Sequence, residues 1–71
     1  MNEITIGEAI RLWRNRRGLS QGGLANRADV SRNSISMLER GTYYNPSLMQ
    51  LEKIANAMGL QLEIRFIPLD E

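Results

Sequence analysis

The sequence has 71 residues, 42% of them hydrophobic, with nine Lys and Arg against eight Asp and Glu, and it holds neither His nor Cys. A chain of this length makes one domain and buries only about 60% of its unfolded surface. With no disulfide or His/Cys metal site to staple it, association with a second copy is the remaining way to enlarge the core. No apolar run approaches the ~20 residues of a membrane span, and no basic-then-apolar leader opens the chain, so a cytoplasmic protein without a cofactor is expected.

The near-neutral total conceals a division. Residues 11–40 hold seven arginines (Arg11, Arg14, Arg16, Arg17, Arg27, Arg32, Arg40) against Asp29 and Glu39, a net +5, while the flanks carry a net −4. Arginine suits phosphates and guanine edges, although charge clustering alone fits a solvated surface equally well.

In chain order, Thr5 with Glu8 forms a capping-box pattern, and Ile6, Ala9, Ile10 and Trp13 recur on one helical face. Gly18 stops this first helix, expected at 6–17. Ser20 caps a second helix with Leu24, Ala25 and Ala28 as its inner positions, weakened by Gly22 and Gly23 at about 1 kcal/mol each relative to alanine. Asp29 tolerates the left-handed conformation that a tight interhelical turn requires. Ser31 caps a third helix reaching Arg40, with Val30 placed to staple against Ile35 and Gly41 as terminator.

Pro46 fixes the exit of the next loop, and Ser47 with Gln50 forms another capping box. Leu48, Leu51, Ile54, Ala55 and Met58 then trace a fourth helix up to Gly59. Beyond it the period changes from helical to two: Leu60, Leu62, Ile64 and Phe66 alternate with Gln61, Glu63 and Arg65, a half-buried strand ended by Pro68. No other segment offers this strand a convincing partner, so pairing with its copy in a second subunit is expected.

Helices two and three, joined by the Asp29–Val30 turn, match a helix-turn-helix unit. The outward face of the third helix carries Arg32, Asn33, Ser36 and Arg40, polar groups of the kind that read base edges in a major groove. The runs Gly18-Leu19-Ser20-Gln21, Leu24-Ala25, Val30-Ser31, Ile35-Ser36, Glu39-Arg40-Gly41 and Pro46-Ser47 resemble the Cro/repressor (XRE-like) helix-turn-helix family over residues 6–60. Two positions depart from its pattern. Gly22 and Gly23 stand where helix formers, often acidic, are usual, and Asp29 replaces the common turn glycine.

The resemblance implies base-reading roles for Arg32, Asn33, Ser36 and Met37, a phosphate contact and a brace to the third helix for Gln21, and phosphate-contacting or neighbouring positions for Ser31, Ser34 and Arg40. It further implies an Arg14–Glu39 ion pair tying the first helix to the end of the third. Other roles compete at several of these positions. Ser31 serves as a helix cap whether or not it meets DNA, and Met37 is core filler unless it meets a thymine methyl. Tyr43 and Tyr44 suit phosphate, core or interface. Arg11, Arg16, Arg17 and Arg27 are either phosphate contacts or solvated charges.

The expected fold is all-α, a compact four- to five-helix lambda-repressor-like domain with its core at 5–59. A short C-terminal β-strand at 60–67 would pair across a dimer through Leu60, Leu62, Ile64 and Phe66. The expected function is that of a dimeric repressor of its own promoter, binding double-stranded DNA at an inverted repeat. The terminal strand is similar to that of HipB-type antitoxins, which adds a protein toxin as an alternative partner. A restriction-modification controller is a second alternative, and a purely structural interaction module a third. An enzyme is not expected, because no nucleophile–base arrangement is present.

Overall fold

Four hydroxyls start four helices in the computed structural model, which describes residues 4–42 and 45–70: α1 (Ile6–Arg16), α2 (Gln21–Ala28), α3 (Arg32–Arg40) and α4 (Leu48–Ala57). A helix begins with orphan backbone N–H groups, and an upstream Ser or Thr oxygen satisfies one of them. Thr5 Oγ1 accepts from the Glu8 N–H at 3.1 Å, and the Glu8 carboxylate accepts from the Thr5 N–H at 3.1 Å, closing the capping box. Ser20, Ser31 and Ser47 accept from the N–H groups of Gly23, Ser34 and Gln50. At Ser47 only this one arm of the expected box is made among the described contacts.

Chain reversals follow the same local logic. At the end of α1 the Leu19 N–H reaches back to the Arg14 carbonyl (3.0 Å) and Gly18 to Asn15 (3.0 Å), with Gly18 at φ +68°. This left-handed closure favours glycine. Asp29 ends α2 in the left-handed region (φ 57°, ψ 46°), where its short polar side chain is tolerated.

The apolar stripes meet in one core of Ile10, Leu24, Ala25, Ala28, Ile35, Leu38, Leu51, Ile54 and Met58. Leu24, Ile35 and Ile54 are fully buried. Trp13, Leu19, Val30, Leu60 and Leu62 pack on its rim. Helix α2 packs on both α3 and α4, and α1 packs on α3. The α1–α3 approach depends on Gly7, since a Cβ there would stand 2.2 Å from the Leu38 carbonyl oxygen and 3.0 Å from that of Glu39. Any side chain at this position would force the two helices apart.

Two large stripe residues are exposed instead: Ile6 and Leu48, each the first residue of its helix, are 53% and 62% exposed. A first turn projects beyond the layer that the later turns cover, so helical periodicity overcounts there. The expected strand is also absent as an element: among the described residues 60–67 carry no regular structure. A strand is defined by its hydrogen-bonded ladder, and the Leu60 N–H turns back to the Ala55 carbonyl (2.9 Å) instead.

Candidate nucleic-acid interface

Helix α3 has two sides of different character. Its inner side is Ile35, Leu38 and Glu39, all buried. Its outer side exposes Arg32, Asn33 and Arg40, with Ser36 and Met37 half-buried. Gln21, at the start of α2, joins Arg32, Asn33 and Ser36 around a shallow polar recess of about 260 Å³. The bare backbone of Gly22 runs beside Arg32, whose Cδ lies 3.9 Å from where a Cβ at position 22 would stand.

The expected site residues divide by how far the protein itself engages them. The Arg32 side chain makes no hydrogen bond or ion pair among the described residues, so its donors face outward. Asn33 Nδ2 lies 3.4 Å from Met37 Sδ, a weak contact that leaves the amide oxygen open. The Ser31 and Ser34 hydroxyls bond each other at 2.8 Å. Arg40 Nε donates to the Ser36 carbonyl at 3.4 Å, leaving its terminal nitrogens open. Tyr43 and Tyr44 lie outside the described residues.

One buried carboxylate holds this face in place. Arg14 grips Glu39 in a two-point pair, Nε to Oε2 at 2.6 Å and Nη2 to Oε1 at 3.0 Å, and its Nη1 donates to the Leu19 carbonyl at 2.9 Å. Gln21 Nε2 donates to Glu39 Oε1 at 3.1 Å, and Arg11 Nε approaches the same oxygen at 3.4 Å. The Glu39 side chain is 0% exposed and that of Arg14 13%. Burial, the strongest single influence, would raise the Glu39 carboxyl's pKa. The hydrogen bonds from Arg14, Gln21 and Arg11 and the Arg14 charge together outweigh it and hold the group below the ordinary glutamate range. The same hydrogen bond raises the pKa of Arg14.

Glu39 thus ties α1, α2 and α3 at one point, and one of its partners, Arg11, escapes sequence reasoning. Arg11 looks like a solvated charge, though it stands three residues from Arg14 and shares its helical face. Gln21 donates inward to Glu39 on α3, in keeping with the brace that the resemblance implies for it. Arg17 is a case like Arg11: its Nε donates to the Met58 carbonyl at 2.8 Å, and its guanidinium and that of Arg16 lie 5.3 and 5.2 Å from the centre of the Trp13 ring. Both are cation–π distances. Among the described residues no three His, Cys, Asp or Glu gather as metal ligands, and no helix is long and apolar enough to cross a membrane.

A model of the helix-turn-helix family matches residues 10–64. The chain belongs to the helix-turn-helix family. It is 42% identical over 59 residues to the immunity repressor protein of Bacillus phage phi105, covering 83% of this chain and 40% of that one. The fold is similar to the DNA-binding domain of the P22 c2 repressor (30% identity, TM-score 0.77, 86% of this chain and 79% of that one). It is also similar to SinR, a master regulator for biofilm formation, in complex with DNA (33% identity, TM-score 0.76, 80% and 90%). The chain spans about 40% of the length of the first curated relatives that it matches.

Proposed function

We propose that this chain is a sequence-specific DNA-binding transcriptional regulator, a dimeric repressor that reads an inverted-repeat operator through α3. The supporting observation is the division of α3. Its inner side and Glu39 secure the fold, while Arg32, Asn33 and Ser36 stand outward beside Gln21 with their recognition groups largely unspent. In a major groove, Arg32 would take a guanine edge bidentately and Asn33 an adenine edge, with Ser36 and Met37 reading further along the same helix. Ser31, Ser34, Arg40 and the remaining amide groups of Gln21 would meet phosphate, as would Tyr43; these contacts set register and carry no sequence information. Two copies joined through residues 60–67 would place their recognition helices roughly 34 Å apart, one helical turn of DNA. Occupying a promoter then blocks polymerase by bulk alone. No catalytic residue enters this function.

The test is selection from a random duplex pool, followed by binding of the enriched sequence at several salt concentrations. An enriched inverted repeat with half-sites one turn apart is expected. Weak, steeply salt-dependent binding without enrichment would reduce the arginines to general phosphate attraction. A second reading draws on the fully exposed Phe66 and Leu69: as an antitoxin, the chain would present this tail to a protein toxin, and a toxin encoded beside it would co-purify.

A further inference from the structure

An unfilled apolar groove of about 220 Å³ lies between α1 and α4. Ile6 and Trp13 form one side, Leu51 and Met58 the other, and Leu60 and Leu62 lie along it as the chain leaves α4. An apolar cavity of about 150 Å³ already holds a benzene ring, so the space suits a phenyl side chain. The chain does not fill it. Leu60 and Leu62 pack on the rim of the core, yet Ile64 is 55% exposed and Phe66 100%. A residue at 100% touches no other part of its own chain.

The ends of this segment determine how two copies can pair. The Leu60 N–H is already given to the Ala55 carbonyl, and Pro68 has no N–H to give. An antiparallel ladder between two tails is therefore confined to residues 61–67, and the one that uses all of them is symmetric about residue 64. Centred there, it sets Leu62 opposite Phe66 of the partner subunit and Ile64 opposite its own copy. All of these side chains share the face that Leu60 and Leu62 turn to the groove, because side chains two apart in a strand point the same way. On the other face Glu63 comes opposite the partner's Arg65, and Arg65 opposite the partner's Glu63. These two groups already pair within one chain at 3.0 Å, so each carboxylate would lie between two guanidiniums. Moving the axis by one residue would instead set Glu63 against Glu63 or Arg65 against Arg65, a destabilising like pair either way.

We infer that the α1–α4 groove is the seat for Phe66 of a second copy, delivered by a two-fold ribbon centred on Ile64. This rests on the dimer of the proposed function and specifies its register and the surface it covers.

The absence of native cysteine allows a direct test on the whole chain. In the centred register the two Ile64→Cys residues face each other with Cα atoms about 4.5–5.5 Å apart, within disulfide range. Leu62→Cys or Phe66→Cys residues would lie about 13 Å from their own copies, at 3.3–3.4 Å per residue. Mild oxidation should therefore link Ile64→Cys chains into dimers and leave the other two single variants unlinked. Trp13 is the only tryptophan and lines the groove. Its emission should shift to longer wavelength when the dimer is diluted apart, and Phe66→Asp should show the shifted emission at every concentration with unchanged helical circular dichroism. A dimer by sedimentation that links best through position 62 or 66, or whose Trp13 emission ignores Phe66→Asp, would overturn the register and the groove while leaving the dimer standing. A monomer at all concentrations would overturn the dimer and this inference with it.

Discussion

The body of the chain up to Gly59 and the tail that follows it obey opposite economies. In the body, no buried side-chain nitrogen or oxygen lacks a hydrogen-bond partner among the described residues, and Leu24, Ile35 and Ile54 are sealed completely. In the tail, Phe66, Ile67 and Leu69 are 100%, 80% and 99% exposed. The body satisfies its buried polar groups, and the tail leaves its largest apolar ones almost wholly bare. Exposed apolar side chains in such density mark a surface awaiting contact, whereas a closed hydrogen-bond network marks a unit that holds its shape alone. Substitutions should therefore separate the two regions by what they damage, stability in one and assembly in the other.

The largest effect is expected at the buried carboxylate. Glu39→Ala strands Arg14 without its partner and should cost about 3–5 kcal/mol of stability, read by urea or thermal unfolding of the whole chain. The same group makes stability depend on acid. Its folded-state pKa lies below the unfolded value, so its contribution is present above the ordinary glutamate pKa of about 4.3 and is lost as pH falls through the lower, folded value. Glu39→Gln should flatten the acid limb of a stability–pH curve, and an unaltered limb would place the acid sensitivity elsewhere.

Next comes the tail. Phe66→Asp should leave the melting of a monomer unchanged but weaken binding to a two-half-site operator by roughly 10²–10⁴-fold, the advantage that linking two binding modules confers. Equal affinity of variant and parent would show that the two regions do not cooperate. Arg32→Ala should cost about 1–3 kcal/mol at one base position with the fold intact, measured as relaxed preference in the selected pool. The smallest effect is expected at Gly22, where an added Cβ meets only the Arg32 Cδ at 3.9 Å. Gly22→Ala should stabilise α2 by up to about 1 kcal/mol, seen as a higher melting temperature.

How much of this was legible in the sequence follows the range of the interactions. Caps and terminators are written within three or four residues, so Thr5, Ser20, Ser31, Gly18 and Gly41 announce the helices directly. Asp29 is legible for the same reason, since its tolerance of positive φ is a property of its own side chain. Gly7 is not, because its need comes from the Leu38 and Glu39 carbonyls, thirty-odd residues away. The Arg14–Glu39 contact and the bracing role of Gln21 followed from family resemblance, while Arg11 joined them only once the helices had been brought together. For Ile6 and Leu48 the apolar period was real, but it could not say that the first turn of a helix overhangs the core. The alternation at 60–67 is visible in the sequence, yet the described residues there form no ladder, because alternation records which side chains share a face and not what the backbone pairs with.

The two-sidedness of α3 bears on how such a protein changes over time. Arg32, Asn33 and Ser36 can be exchanged without disturbing Ile35, Leu38 or Glu39, since the outward side chains lend the interior almost nothing. A library randomised at these three positions should therefore yield mostly folded proteins, and on the proposed function its members would differ in target site. The face open to change and the face that folds are separable in this helix.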